Sequence, residues 1–401
     1  MANDLVLRNV RPMAQSATDV LIRDGRIAEL GPAVATDGIE YVEGNGAVLI
    51  PGLVEAHTHL DKTLLGTPWY RNEVGPRLID KIENERQVKQ QLGLDPQIQS
   101  ERQALLSVAN GSTHIRSHVD VDAGADGVGL TAIEGVAVTR DKLAGLVEIE
   151  IVAFPQSGLL TRPGTLELMA EALQCGAGVV GGIDPASMDR DPRGHVDAVF
   201  DLAERYGRPL DIHLHEAGEL GAFSMELILE RTLALGMQGK VTISHAFCLG
   251  MGDKSYVAHL IERLAHAQVH IMTTGPAARP APPLETLLEA GVVVCSGSDG
   301  IRDTWGPYGN ADMLERAMFV GLANNFRRDD EVELALDVCT YGGAKVMALE
   351  DYGLSAGCRA DLVLVQGETL ADVVVSRAPR QLVVKRGQVV AREGVCLTRA
   401  P

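Results

Sequence analysis

Short apolar runs recur through the middle of the chain, and each ends on a polar or ionisable residue. Examples are Leu53-Val-Glu-Ala-His57, Val241-Thr-Ile-Ser-His245 and Val292-Val-Val-Cys-Ser-Gly-Ser-Asp299. Runs this short, bounded by turn formers, predict buried strands. They end near His57, His118, Phe154, Gly182, His213, His245, Thr273 and Ser298. Between them, residues 165–173, 196–206, 225–235 and 256–267 carry apolar positions at helical spacing. Strands alternating with helices across residues 51–350 predict a (β/α)8 barrel, an α/β fold. An open doubly wound sheet is the competitor, but no GxGxxG follows the first strand.

The chain ends have a different texture. Residues 4–9, 19–22, 26–30 and 46–49 at one end, and 361–365, 372–375 and 381–384 at the other, read as short strands. Asp24-Gly25 between Leu21-Ile22-Arg23 and Arg26-Ile27 signals a hairpin, and a second one follows over 385–390. Two polar-flanked, β-rich ends are expected to pair as one small discontinuous domain, residues 1–50 with 351–401. The Pro-rich stretch 276–283 reads as a semi-rigid rim loop.

Chemistry in such a barrel collects where strands end. His57 and His59 are two apart on an extended strand, so both imidazoles point to one side and reach one divalent cation. That is half the coordination sphere of a metal-dependent hydrolase. Gln156 follows the third strand, His213 and Glu216 the fifth, His245 the sixth and Asp299 the eighth. A single histidine after a strand is ordinarily a hydrogen-bonded core residue. Several strand ends bearing His or Asp in one chain form a constellation.

Charge narrows the partners. A formal net charge of −18, from 54 acidic and 36 basic residues with no Lys/Arg cluster, argues against nucleic acid and an anionic membrane surface. A small uncharged molecule is the expected partner. No apolar run reaches the ~18 residues that span a bilayer, and Met-Ala-Asn-Asp-Leu-Val lacks the pattern of a signal peptide. The six cysteines are scattered without a CxxC and read as reduced thiols. Together these place the chain in the cytoplasm. The number of subunits is open, a homo-oligomer included.

The residues resemble the amidohydrolase superfamily. His-x-His after strand one, single histidines after strands five and six, and Asp after strand eight carry the likeness. Within it the chain is similar to the cytosine deaminase group through His59-Leu-Asp61, Arg116-Ser-His118-Val-Asp120, Ile151-Val-Ala-Phe-Pro-Gln156, Ser244-His245 and Asp303-Thr-Trp305. N-alkylammelide amidohydrolases share much of the pattern, including Gly181-Gly-Ile-Asp184-Pro-Ala186. The resemblance implies a distorted barrel with a β-sandwich built from both chain ends. It implies one metal ion, Zn²⁺ or Fe²⁺, on His57, His59, His213 and Asp299. The bridging Lys of two-metal relatives has no counterpart, since Lys142 is the only Lys between Lys89 and Lys240.

By the same resemblance, the metal generates hydroxide near neutral pH, Asp299 takes the water's proton and His245 orients the hydroxide. Glu216 shuttles a proton to a ring nitrogen and the departing amine. Gln156 is expected to read a ring N–H and C=O pair, with Phe154 and Trp305 stacking on a flat base. Three positions depart from the cytosine deaminase pattern. Gly300 stands where Asp is usual and is expected to leave room for a ring substituent. His215 replaces a carboxylate, and Lys62 looks more like the ammelide hydrolases. The expected function is hydrolytic deamination of cytosine or a related base, with alkylamine release from a triazine as the alternative. A non-catalytic scaffold is the alternative of another class. The H-x-E with P-C-x-x-C of the unrelated zinc deaminases is excluded, because the chain has no P-C-x-x-C.

Overall fold

A computed structural model describes residues 4–32, 34, 38–124, 128–277 and 279–401, with backbone alone at 78 and 79. The opening residues 1–3, read above for a signal peptide, and Ala278 of the rim loop lie outside the described residues.

The chain begins with β1 (Leu5–Pro12), β2 (Thr18–Arg23), β3 (Arg26–Gly31), β4 (Glu40–Glu43) and β5 (Val48–Pro51). The barrel follows as β6 (Leu53–Thr58), β7 (Ser112–Asp120), β8 (Glu148–Phe154), β9 (Val179–Ile183), β10 (Leu210–His213), β11 (Val241–Ser244), β12 (His270–Thr273) and β13 (Val294–Ser296). Each barrel strand is parallel to the next, with helices between. Every expected strand end falls within two residues of the observed one. The four expected helical stretches lie in the helices Thr165–Gln174, Pro192–Tyr206, Gly218–Ala234 and Lys254–Ala267. No described helix is long and apolar enough to cross a membrane.

The barrel is joined end to end by one seam. Asp299 N–H donates to the His57 carbonyl at 2.9 Å, and the Thr58 hydroxyl donates to the Asp299 carbonyl at 2.9 Å. A Cβ on Gly297 would overlap the His57 backbone, so only glycine lets the end of β13 close against β6. The seam therefore sets Asp299 beside the two strand-one histidines.

The chain returns with β14 (Leu362–Val365), β15 (Arg380–Lys385), β16 (Gln388–Arg392) and β17 (Val395–Cys396). β14 pairs antiparallel with β5, and β1 continues the sheet on to β2 and β3. Leu5, Leu7, Val20 and Leu49 from one end pack with Leu362, Leu364, Leu382 and Val384 from the other in one core. Both expected hairpins form, with positive φ at Asp24-Gly25 and Arg386-Gly387 as tight two-residue turns require. The molecule is a (β/α)8 barrel with a small β domain made from both chain ends.

One expected strand is a helix. Residues 372–375 lie within Leu370–Ser376, capped by the Thr369 hydroxyl accepting from Asp372 N–H at 3.0 Å. Leu370, Val373 and Val374 are buried at helical spacing, while Val375 is exposed. A run of three valines favours strand by propensity, but the cap and the buried face decide the outcome.

At the N-terminal face of the barrel, fully buried Lys385 joins the small domain to β7 and β8. Its Nζ lies 2.8 Å from Asp361, 3.1 Å from Glu148 and 3.3 Å from His114. Burial first, then Lys385, holds His114 well below the ordinary histidine range, so its ring is neutral and accepts from the ammonium.

Candidate active site

At the opposite face, His57 from β6, His213 from β10, His245 just beyond β11 and Asp299 at the seam bring ligand atoms within 4.8 Å of one another. His59 approaches through Asp299, its Nε2 lying 3.1 Å from Oδ1, while His57 Nε2 is 3.7 Å from the same oxygen. Two ligands each about 2.1 Å from one tetrahedral ion stand about 3.4 Å apart, so both spacings suit a shared cation. His245 (φ 73°) and Asp299 (φ 63°) are held in the left-handed region that non-glycine residues avoid. Such backbone is retained where the surroundings over-determine it.

The electrostatics fit a cation as well. Nε2 of His57, His213 and His245 is buried without a hydrogen-bond partner among the described residues. An unsatisfied buried polar atom costs about 1–3 kcal/mol, which a cation would relieve. Burial first, and then neighbouring imidazoles, hold His213 and His245 well below the usual histidine value, so their lone pairs are available. Burial opposes ionisation of Asp299, but the His57 and His59 rings beside it outweigh that and hold its carboxyl well below the ordinary range. These residues fit a divalent cation. Lys142 pairs with Glu101 at 2.5 Å instead, half-exposed at the end of its helix.

Behind the cluster, Ser244 settles which nitrogen of His57 faces it. The Ser244 hydroxyl donates to Asp211 Oδ1 at 2.6 Å and stands 3.0 Å from His57 Nδ1. Asp211 is held as a carboxylate: burial opposes this, but His118 and Arg116 prevail. With its proton committed to Asp211, the Ser244 oxygen accepts from Nδ1–H, and the Nε2 lone pair is left for the cluster.

Above the cluster lies a cavity of 560 Å³ lined by Lys62, Phe154, Gln156, Trp305 and Gly300, together with His59, His213 and Asp299. Phe154 stacks on the His213 ring, with centroids 4.2 Å apart and planes at 27°. A single 3-10 turn, Leu60–Lys62, brings Lys62 back over the strand end. Its Nζ donates to Asp120 at 2.6 Å and to Gln156 Oε1 at 3.1 Å. Burial opposes the ammonium, but Asp120 and Glu85 outweigh it and keep it charged. The Trp305 indole N–H is spent on Glu85.

Three expectations change. Gln156 offers its donor more freely than its acceptor, because one lone pair of its oxygen is taken by Lys62 while the amide N–H₂ is left. The space beside Gly300 is not vacant, because a Cβ there would overlap the Asp303 carboxylate. Glu216 is turned away from the cavity. Its Oε1 accepts from Ala186 N–H at 2.8 Å, Ser187 N–H at 2.7 Å and the Ser187 hydroxyl at 3.0 Å, and its Oε2 accepts from Ser224. The backbone stays extended past His213, with Leu214 N–H donating to the Ser244 carbonyl at 2.9 Å. Strand alternation therefore continues, placing His215 on the side of His213 and Glu216 on the other.

His215 lines the cavity, its Nδ1 2.8 Å from Asp184 Oδ2, with Asp184 Oδ1 also accepting the His215 N–H at 2.6 Å. Burial works against its charge, yet the Asp184 carboxylate raises it above the ordinary value. Sequence reasoning gave no role to Asp184 or to Asp303, a buried carboxyl that burial and then Glu85 push up to about 6. The signal for Asp303 was its place before Thr304-Trp305-Gly306, where an Asp side chain caps the following N–H groups.

A family model described as "Amidohydrolase family" matches residues 40–391. N-isopropylammelide isopropyl amidohydrolase of Pseudomonas sp. (strain ADP) is 29% identical over 406 residues, 98% of each chain. The crystal structure of N-isopropylammelide isopropylaminohydrolase from Burkholderia multivorans ATCC 17616 superposes with a TM-score of 0.95 at 52% identity, covering 98% of this chain and 100% of that one. That of 5-methylcytosine deaminase from Klebsiella pneumoniae, liganded with 5-fluorocytosine, gives 0.85 at 27% identity over 98% and 99%. The chain belongs to the amidohydrolase family and is an enzyme that hydrolyses carbon–nitrogen bonds.

Proposed function

We propose that the chain hydrolyses the exocyclic carbon–nitrogen bond of a small oxo-substituted nitrogen ring and releases an alkylamine, an N-alkylammelide-type triazine suiting it better than cytosine. The observation that carries this is the Lys62–Gln156 pair. Lys62 Nζ already donates to Asp120, to Gln156 Oε1 and, at 3.5 Å, to Glu85, so the pair offers the ring the Gln156 amide N–H₂ beside a positive charge. A free donor beside a positive charge suits an oxo group at the ring edge better than it suits a ring N–H. The likeness to the two ammelide hydrolases supports the same choice.

His57, His59, His213 and Asp299 would hold the divalent cation, zinc or iron. When bound, it supplies Lewis acidity that brings the pKa of water down toward ~7. Asp299 takes a proton from the water that attacks the ring carbon. His245, its Nε2 buried and unpartnered, steadies the attacking oxygen. His215, fixed through Nδ1 by Asp184, passes a proton to the departing nitrogen, the part first expected of Glu216. The barrel, residues 51–350, carries this chemistry, and the small domain of residues 1–50 and 351–401 closes its far end.

Metal-replete protein should release isopropylamine from N-isopropylammelide with a kcat/KM at least about 100-fold above ammonia release from cytosine or 5-methylcytosine. Ammonia from either pyrimidine without any alkylamine would sink this reading in favour of a cytosine-type deaminase. A metal-loaded protein silent on all three would favour a scaffold without catalysis.

A further inference from the structure

Gly300 and Asp303 share one place in the cavity wall. A Cβ built on Gly300 would overlap Asp303 Oδ2, so this carboxylate stands where a side chain at position 300 would stand. Its other oxygen is committed, since Oδ1 accepts from Trp305 N–H at 2.8 Å and from Gly306 N–H at 2.9 Å. Those two bonds fix the roll of the carboxylate and direct Oδ2 into the slot. Asp303 lines the cavity and is 7% exposed, yet Oδ2 has no hydrogen-bond partner among the described residues. A carboxylate oxygen that opens on the cavity while its twin is held is free to take its partner from a ligand.

The other cavity groups say what that partner is. Gln156 presents its amide N–H₂ beside the Lys62 ammonium and suits an oxo group of a ring. Asp303 Oδ2 presents an acceptor next to Asp299 and so needs an N–H. Ring nitrogens next to oxo groups carry N–H as well, but an acceptor beside Asp299 stands where the bond is cut, and the N–H there is that of the exocyclic amine. A secondary amine conjugated to the ring is planar, with its single N–H on one side and the alkyl group on the other. Engaging that N–H fixes both the nitrogen and the direction of the alkyl group.

We propose that Asp303 is a specificity-determining residue whose Oδ2, delivered through the gap at Gly300, accepts the N–H of the secondary amine that is cut from the ring. This rests on the reading that an exocyclic amine is the leaving group. It assigns the substrate class more narrowly: secondary amines enter productively, and tertiary amines, with alkyl where the N–H should be, do not.

The test compares N-isopropylammelide, which has the N–H, with N,N-dimethylammelide, which lacks it. Amine release by metal-replete wild type is set against Asp303→Asn, which keeps an oxygen for Trp305 and Gly306 but turns a donor toward the substrate. The expected result is a fall of about 100-fold in kcat/KM for the secondary amine and a change under about 3-fold for the tertiary one. A parallel fall on both compounds, or no fall on either, overturns the proposal while leaving the leaving-group reading intact. Amine from neither compound with wild type overturns both. If Asp303→Asn melts more than about 5 °C lower, the exchange Gly300→Asp with Asp303→Gly presents a carboxylate from the other side of the slot. Recovery of the N–H preference then supports the proposal, and its loss in that exchange counts against it.

Discussion

The barrel carries a buried cluster of histidine and carboxylate at each end, and the two differ in what they leave unpaired. At the N-terminal face, His114, Glu148 and Asp361 bring ligand atoms within 4.8 Å, as a metal site would. Lys385 supplies the positive charge, 2.8 Å from Asp361 and 3.1 Å from Glu148. At the C-terminal face, His57, His213 and His245 keep buried Nε2 atoms with no partner among the described residues. Similar donor types thus make a strut at one end and a receptacle at the other. Ligand spacing alone does not tell them apart; the accounting of satisfied atoms does.

The largest effect should come from the receptacle. Asp299→Ala is expected to lower kcat/KM by about 10³-fold or more and to strip the bound ion, read by steady-state kinetics and metal analysis. Unchanged metal content and rate would erase the contrast between the two ends. Next comes the strut. Lys385→Met removes the charge but keeps most of the stem, leaving buried Asp361 without its ammonium while Glu148 keeps only Arg359 and Arg386. Denaturant titration should report a loss of about 3–5 kcal/mol. Added Zn²⁺ should raise the melting temperature of that variant more than that of wild type, because the strut has been turned into a receptacle.

A smaller effect separates orientation from ligation. Ser244→Ala leaves every ligand in place but frees the His57 ring to adopt either tautomer. Chelator competition should show metal affinity weakened by about 10- to 100-fold. A drop in melting temperature with unaltered affinity would make Ser244 merely structural. The smallest effect is acidic. The ordinary Glu148 value is 4.5; burial opposes a fall, but the charges of Lys385 and Arg359 bring it to about 2. A depressed carboxyl stabilises the fold above its unfolded value, and that stability is lost as pH falls from about 4.5 to about 2. With its side chain 30% exposed, the share is about 1–2 kcal/mol after screening. Glu148→Gln should remove that step from a pH series of denaturation curves.

What was legible in the sequence follows from what each inference needed. Barrel strands and their ends needed only local pattern, and His57, His59, His213, His245 and Asp299 came with them. Gln156 and Gly300 were placed at the cavity, yet their roles turned on Lys62 and Asp303, partners that no local pattern supplies. Glu216 was misjudged because its position was counted from the end of β10, while the backbone runs on extended for another residue and keeps alternating. The helix Leu370–Ser376 hid behind its valines, and only the Thr369 cap and the buried face reveal it. The Lys385 strut was out of reach, since it joins residues from β7, β8 and β15 across the whole chain.

The pairing of β5 with β14 has a consequence for how the protein is made. Pro51 lies opposite Leu362, and neither the strand that completes β5's sheet nor Lys385 exists until nearly all of the barrel has been synthesised. At ribosomal rates of about 5–20 residues per second, β5 waits on the order of 15–60 seconds with one edge open. Through that interval His114 and Glu148 face each other at the barrel floor without their cation. The newborn chain is therefore most exposed to mispairing at the end remote from its chemistry, and strands made only after the barrel are the ones that seal it.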